Sequence, residues 1–204
     1  ANTPATNTGD WIFRTNNPGT GGGVLSADTI GTPLNSQTTL HFTDPYNDST
    51  TDRTFSGGHK WDDDPNTWTW TISKPSAKTD INNALLHIAT DTNGHVWVVV
   101  GADRLSTSGD SYIDFEFLQN TLIRNTNGYF LSSGPQGGRT TNDLVLSISF
   151  TGGGDNPDFL VYRWLTNTSG GGYEYVDSTA ALPAGRVFAA INSNTVPVPF
   201  GAFG

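Results

Sequence analysis

The chain has 204 residues, carries 19 Asp and Glu against 10 Lys and Arg for a formal charge of −9, and contains neither Cys nor Met. That composition excludes disulfides, a thiol nucleophile and Cys-ligated zinc, and it offers no cationic cluster to neutralise nucleic-acid phosphates. No apolar run approaches the roughly 20 residues of a helical membrane span, while 24 Gly, 11% aromatics and only 14% charged residues suit short strands joined by tight turns.

In chain order, residues 1–10 are polar and Thr/Asn-rich, as expected of a linker or a disordered terminus. Strands are predicted over 11–14, 38–43, 67–73, 84–90, 95–101, 112–119, 143–150, 158–166, 173–177 and 186–192, punctuated by Gly, Asn, Asp and Pro. Thr79–Leu86 also fits a short helix capped by Thr79 or Asp80, in competition with the strand that begins at Ala84. Asn93-Gly94 predicts a hairpin with a type I′ turn, which needs positive φ at both central residues. Val96-Trp97-Val98-Val99-Val100 reads as a central strand covered on both faces. Prolines alternate in Val196-Pro197-Val198-Pro199, so 196–204 is expected to be an extended segment. Many strands without βαβ spacing or an internal repeat predict one antiparallel β-sandwich over 11–195, of concanavalin-A-like or jelly-roll type.

The most informative stretch is Asp110–Asn120. Ile113, Phe115 and Phe117 alternate with Tyr112, Asp114 and Glu116, so a strand there has one apolar face and one face with a phenol and two carboxylates about 7 Å apart. Such acids serve as a catalytic pair at a separation of about 5–5.5 Å, as acceptors for ligand hydroxyls, as cation ligands, or simply as a solvated face. Trp61, Trp68, Trp70 and Trp97 fall within forty residues; flat rings stack on sugars, although core packing is the default for tryptophan. Asp62, Asp64 and Asn66 follow the Asp-x-Asp-x-Asn rhythm of calcium loops, and Asp103 and Asp110 would add oxygens toward the six to eight that Ca2+ takes. The Gly and the distal acid of an EF-hand are absent, and an unliganded acidic turn is the alternative. The four histidines lack zinc-site spacing, and neither a nucleophile elbow nor a Walker loop occurs.

Tyr112-Ile113-Asp114-Phe115-Glu116-Phe117-Leu118 resembles the catalytic strand of laminarinase- and lichenase-type glycoside hydrolases, Glu-Ile-Asp-Ile-Glu-Phe-Leu, whose three acids are nucleophile, helper and acid/base. Asp114 and Glu116 match the second and third; Tyr112 stands where the nucleophile belongs. The resemblance implies a sugar cleft and, for an enzyme, Glu116 as acid/base with Asp114 as partner. Across residues 55–165, the order Phe55–Lys60, Lys78–Ala84, Gly101–Arg104, Gly109–Ser111 leading into Phe115–Asn120, and Asp143–Leu146 resembles an uncharacterised module of secreted or cell-surface bacterial proteins. That implies an extracellular β-sandwich beside other domains, with no activity attached.

The leading expectation is therefore an extracellular carbohydrate-binding or adhesion module, secreted or on a bacterial surface. Its partner is a polysaccharide or glycan, its ligand residues are Tyr112, Asp114, Glu116, Trp61, Trp68, Trp70 and Trp97, and Ca2+ is a candidate ion. The alternatives are a glycoside hydrolase acting on β-glucan-like polysaccharide and a self-assembling subunit of an extracellular filament or surface layer.

Overall fold

The computed structural model describes residues 11, 23–26, 30–57, 61–153, 156–183, 185–187 and 189. The expected terminal segments 1–10 and 196–204 lie outside these residues, as does most of the predicted strand 11–14. Of the predicted strand 186–192 only residues 186, 187 and 189 are described, none of them in a strand. Among the described residues the fold is all-β, 46% strand with no helix of seven residues or more. Its strands are β1 (Thr39–Thr43), β2 (Arg53–Gly57), β3 (Thr69–Ile72), β4 (Asn83–Thr90), β5 (Val96–Ala102), β6 (Ser111–Phe117), β7 (Leu122–Arg124), β8 (Phe130–Ser132), β9 (Leu144–Thr151), β10 (Asn156–Thr166) and β11 (Tyr173–Asp177). Every strand pairing is antiparallel. Thr79–Leu86 is therefore not helical: Asn83–Leu86 begin β4.

The chain folds into two compact units, each assembled from segments distant in sequence. The first comprises 1–46, 76–107 and 188–204, and its sheet runs β1-β4-β5. On one face Leu25 is wholly buried beneath Trp11, Val24 and Leu85. Several polar groups buried in this unit are paired, which offsets their loss of water. Thr39 Oγ1 meets His87 Nδ1 at 2.9 Å, and Asp103 accepts the backbone N–H groups of Asn82 and Asn83 at 3.0 and 2.8 Å.

Two sequence expectations are corrected in this unit. The β4–β5 reversal, residues 91–95, is not a type I′ turn, because Gly94 alone among them has a positive φ, +82°. Asp91 imposes the change: its Oδ1 accepts from Asn93 N at 2.8 Å and His95 N at 2.9 Å, which favours a type I turn closed by one left-handed glycine. The Val96–Val100 run is not covered on both faces, since Val96, Val98 and Val99 are 67%, 47% and 44% exposed. A run of β-branched residues reports strand preference, and only its neighbours decide burial.

The second unit comprises 47–75 and 108–187. Its main sheet is β11-β10-β9-β6. Beside it the β2-β3 and β7-β8 hairpins are joined through the Thr69–Tyr129 bridge, with Trp70 N–H donating to Gly128 O at 2.9 Å. The sequence reading missed β2, β7 and β8. The last two are only three residues long, and β2 is broken by a bulge between Phe55 and Gly57, so none offers a sustained alternation. Loop 133–139 closes over a 3-10 turn at Pro65–Thr67. Gly138, at φ +77°, sits so close that a Cβ would lie 2.4 Å from Asp64 Oδ1 and 2.6 Å from Pro65 Cδ.

Candidate functional site

Strand register assembles one polar-aromatic face from the residues of β6, β9, β10 and β11. Successive rows across it are Tyr112–Ser149–Asp158, Asp114–Ser147–Leu160, Glu116–Val145–Tyr162–Asp177, and then Trp164–Tyr175. The alternation expected of the 112–117 strand is thus present, but the two ends of this face differ.

At one end the surface is closed. Arg139 comes from the glycine-rich loop and is wholly buried, its Nε donating to Glu116 Oε1 at 2.6 Å. Its other nitrogens donate to the carbonyls of Asp63, at 2.5 Å, and Trp61. The guanidinium lies 4.9, 5.0 and 5.4 Å from the ring centroids of Trp164, Tyr175 and Trp68. Tyr175 donates its hydroxyl to the same Glu116 oxygen at 2.7 Å. Burial, with the Glu116 charge adding to it, pushes the Tyr175 phenol far above its ordinary value, so it remains a donor. A buried cation is costly unless paired and hydrogen-bonded, and this one has a carboxylate, two carbonyls and three ring faces.

At the other end the surface is open. Tyr112 is 64% exposed, and Asp114 and Asp158 are exposed. Tyr162 is half-buried, with the Trp61 ring tilted over it at 4.8 Å. Burial raises the Tyr162 phenol first, followed by the carboxylates of Asp177, Asp114 and Asp158, so the ring stands amid three acids. Asp114 is exposed as a residue, yet its carboxyl is hemmed in enough for desolvation to raise it above the usual aspartate range, against the pull of the Ser147 hydroxyl.

The remaining expected ligand residues are dispersed. Trp68 is 5% exposed and packs edge-on against Phe55 and Phe130. Trp70 is half-buried in the hairpin sheet, its indole donating to Asn125 O at 2.9 Å. Trp97 belongs to the first unit, where its indole donates to Asp91 Oδ2 at 3.1 Å. Of the seven residues expected to bind ligand, Tyr112, Asp114, Glu116 and Trp61 come together. Sequence reading missed Arg139, which has no local pattern around it. It also missed Tyr162 and Tyr175, whose alternation was legible but whose strands had no assigned neighbours.

The calcium-like segment is occupied with its own turn. Asp64 Oδ1 accepts from Asn66 N and Nδ2, both at 2.9 Å, and Asn66 Oδ1 accepts from Ser132 N at 2.9 Å. Asp62 is exposed, Asp110 Oδ1 accepts from Gly153 N at 2.8 Å, and Asp103 lies in the first unit holding the start of β4. Among the described residues no group of three or more His, Cys, Asp or Glu has the arrangement to hold a metal ion.

Compared with known proteins, the chain matches no protein-family model, no curated protein and no solved structure. Among the described residues no helix is long and apolar enough to cross a membrane.

Proposed function

We propose that the chain is a carbohydrate-recognition module, whose ligand lies across the open end of the β6-β9-β10-β11 face. The observation that carries this reading is the convergence there of Tyr112, Tyr162 and Trp61 with the carboxylates of Asp114, Asp158 and Asp177. Aromatic rings cover the apolar faces of a sugar, and carboxylates on a rigid sheet accept hydrogen bonds from its hydroxyls. In this reading the module is extracellular, secreted or displayed on a bacterial surface. Its finer architecture is a jelly-roll or concanavalin-A-like sandwich, a view supported by the antiparallel pairing and the absence of long helices among the described residues.

The hydrolase alternative meets a geometric obstacle. Glu116, its acid/base, already has one oxygen engaged by both Arg139 and Tyr175, and its side chain is only 16% exposed. A subunit of a filament or surface layer is a further alternative, favoured by no particular contact. Isothermal titration against glucans, xylans, mannans and host glycans, with and without calcium, tests the proposal. Binding that weakens on Tyr112→Ala supports it, and silence across the whole panel sinks it.

A further inference from the structure

We propose a second ligand site on the hairpin sheet, where Arg53 and Arg124 bind the oxyanion of an acidic saccharide beside Trp70. Register places Arg53, Phe55, Trp68, Trp70, Ile72, Phe130 and Arg124 on one face, because Arg53 opposes Ile72, Phe55 opposes Trp70 and Arg124 opposes Phe130. The Thr69–Tyr129 bridge joins the two hairpins in phase. No Asp or Glu occurs among these positions, on a chain where acids outnumber bases by 19 to 10.

Both guanidiniums converge on the Trp70 ring, Arg124 at 5.0 Å and Arg53 at 5.8 Å from its centroid. Both residues are exposed, and among the described residues neither has a carboxylate partner. Arg53 donates one N–H to Thr51 O at 3.3 Å, which steadies the group and leaves most of its donors free. The ring is itself fixed by its bond to Asn125 O, so the cations are held on a rigid plate. Each guanidinium offers a carboxylate or sulfate oxyanion forked N–H bonds beside the ring.

Phe55 and Ile72, each 49% exposed, form an apolar rim of the kind a pyranose face covers. The chain's charge of −9 repels a long polyanion, which selects a short saccharide carrying carboxylate or sulfate. This site belongs to a different sheet from the polar face and does not depend on that face binding sugar.

The test is titration at low salt with three tetrasaccharides: a galacturonate oligomer, a sulfated chondroitin oligomer and neutral cellotetraose. The expected result is tighter binding of at least one charged oligomer than of the neutral one, by about tenfold. Arg53→Gln/Arg124→Gln loses that preference with an unchanged unfolding midpoint, whereas the charge-matched control Lys74→Gln/Lys78→Gln retains it. Whichever charged oligomer binds identifies the oxyanion. No preference for charge, or a preference that survives Arg53→Gln/Arg124→Gln, overturns the proposal.

Discussion

Asp114 and Glu116 are two residues apart on one face of one strand, and the fold uses them in opposite ways. Glu116 is drawn under a buried arginine and a tyrosine hydroxyl, while Asp114 stays at the surface among Ser147, Tyr112 and Tyr162. Strand alternation settles only which face a side chain leaves from. Whether that face is covered depends on a loop some twenty residues downstream, the one that delivers Arg139. The closed end is where this unit stores stability, and the open end is where it has surface to offer a ligand.

If that division holds, the largest loss follows from emptying the closed end. Arg139→Ala leaves Glu116 without its cation and the three rings around a void, and the second unit is expected to lose about 3–5 kcal/mol, measured by urea unfolding followed through tryptophan fluorescence. Arg139→Lys recovers only part of this, because an ammonium cannot reproduce the flat fork between the rings. An unfolding midpoint unmoved by Arg139→Ala would erase the contrast between the ends.

Gly138→Ala comes next, at about 2 kcal/mol, since its Cβ would collide with Asp64 and Pro65 at a left-handed backbone position. Tyr175→Phe removes one donor from Glu116 and is expected to cost about 1 kcal/mol. The same denaturation series ranks all three.

The all-β class and most strands were legible because period-two alternation is a local signal, clearest at Leu144–Phe150 and Tyr112–Phe117. The Asn93-Gly94 reversal was legible too. Its turn type was not, because it depends on side-chain capping by Asp91. The candidate site was half legible. Tyr112 and Asp114 stand out from alternation alone, but the burial of Glu116 depends on Arg139, which comes from a glycine-rich segment with no periodicity. In the acidic run at 62–64, whose residue types suggest an ion, Asp64 and Asn66 shape a turn and anchor Ser132.

The smallest stability effect is expected at the open end, and it depends on pH. Desolvation sets the Asp114 pKa in the folded chain above that of the unfolded chain, so the folded state binds more protons and stability falls as pH rises above the ordinary aspartate value of 3.8. Asp114→Asn removes that slope. Asp177 is shifted the other way by the hydroxyl and backbone N–H of Thr179, and contributes stability that is lost on acidification. The difference between wild type and Asp114→Asn, read from urea midpoints across the acid range, isolates the Asp114 contribution. Parallel curves would show that its carboxyl is not desolvated.

One paired titration tests directly the proposal that the open end recognises sugar while the closed end holds the fold. Wild type and Tyr112→Ala/Asp114→Asn are titrated with the same glycan panel, and their unfolding midpoints are recorded alongside. The account predicts that the double variant binds at least about tenfold more weakly, with its midpoint shifted less than that of any closed-end variant. Equal affinity in the two proteins, or a wild type that binds none of the glycans, contradicts it.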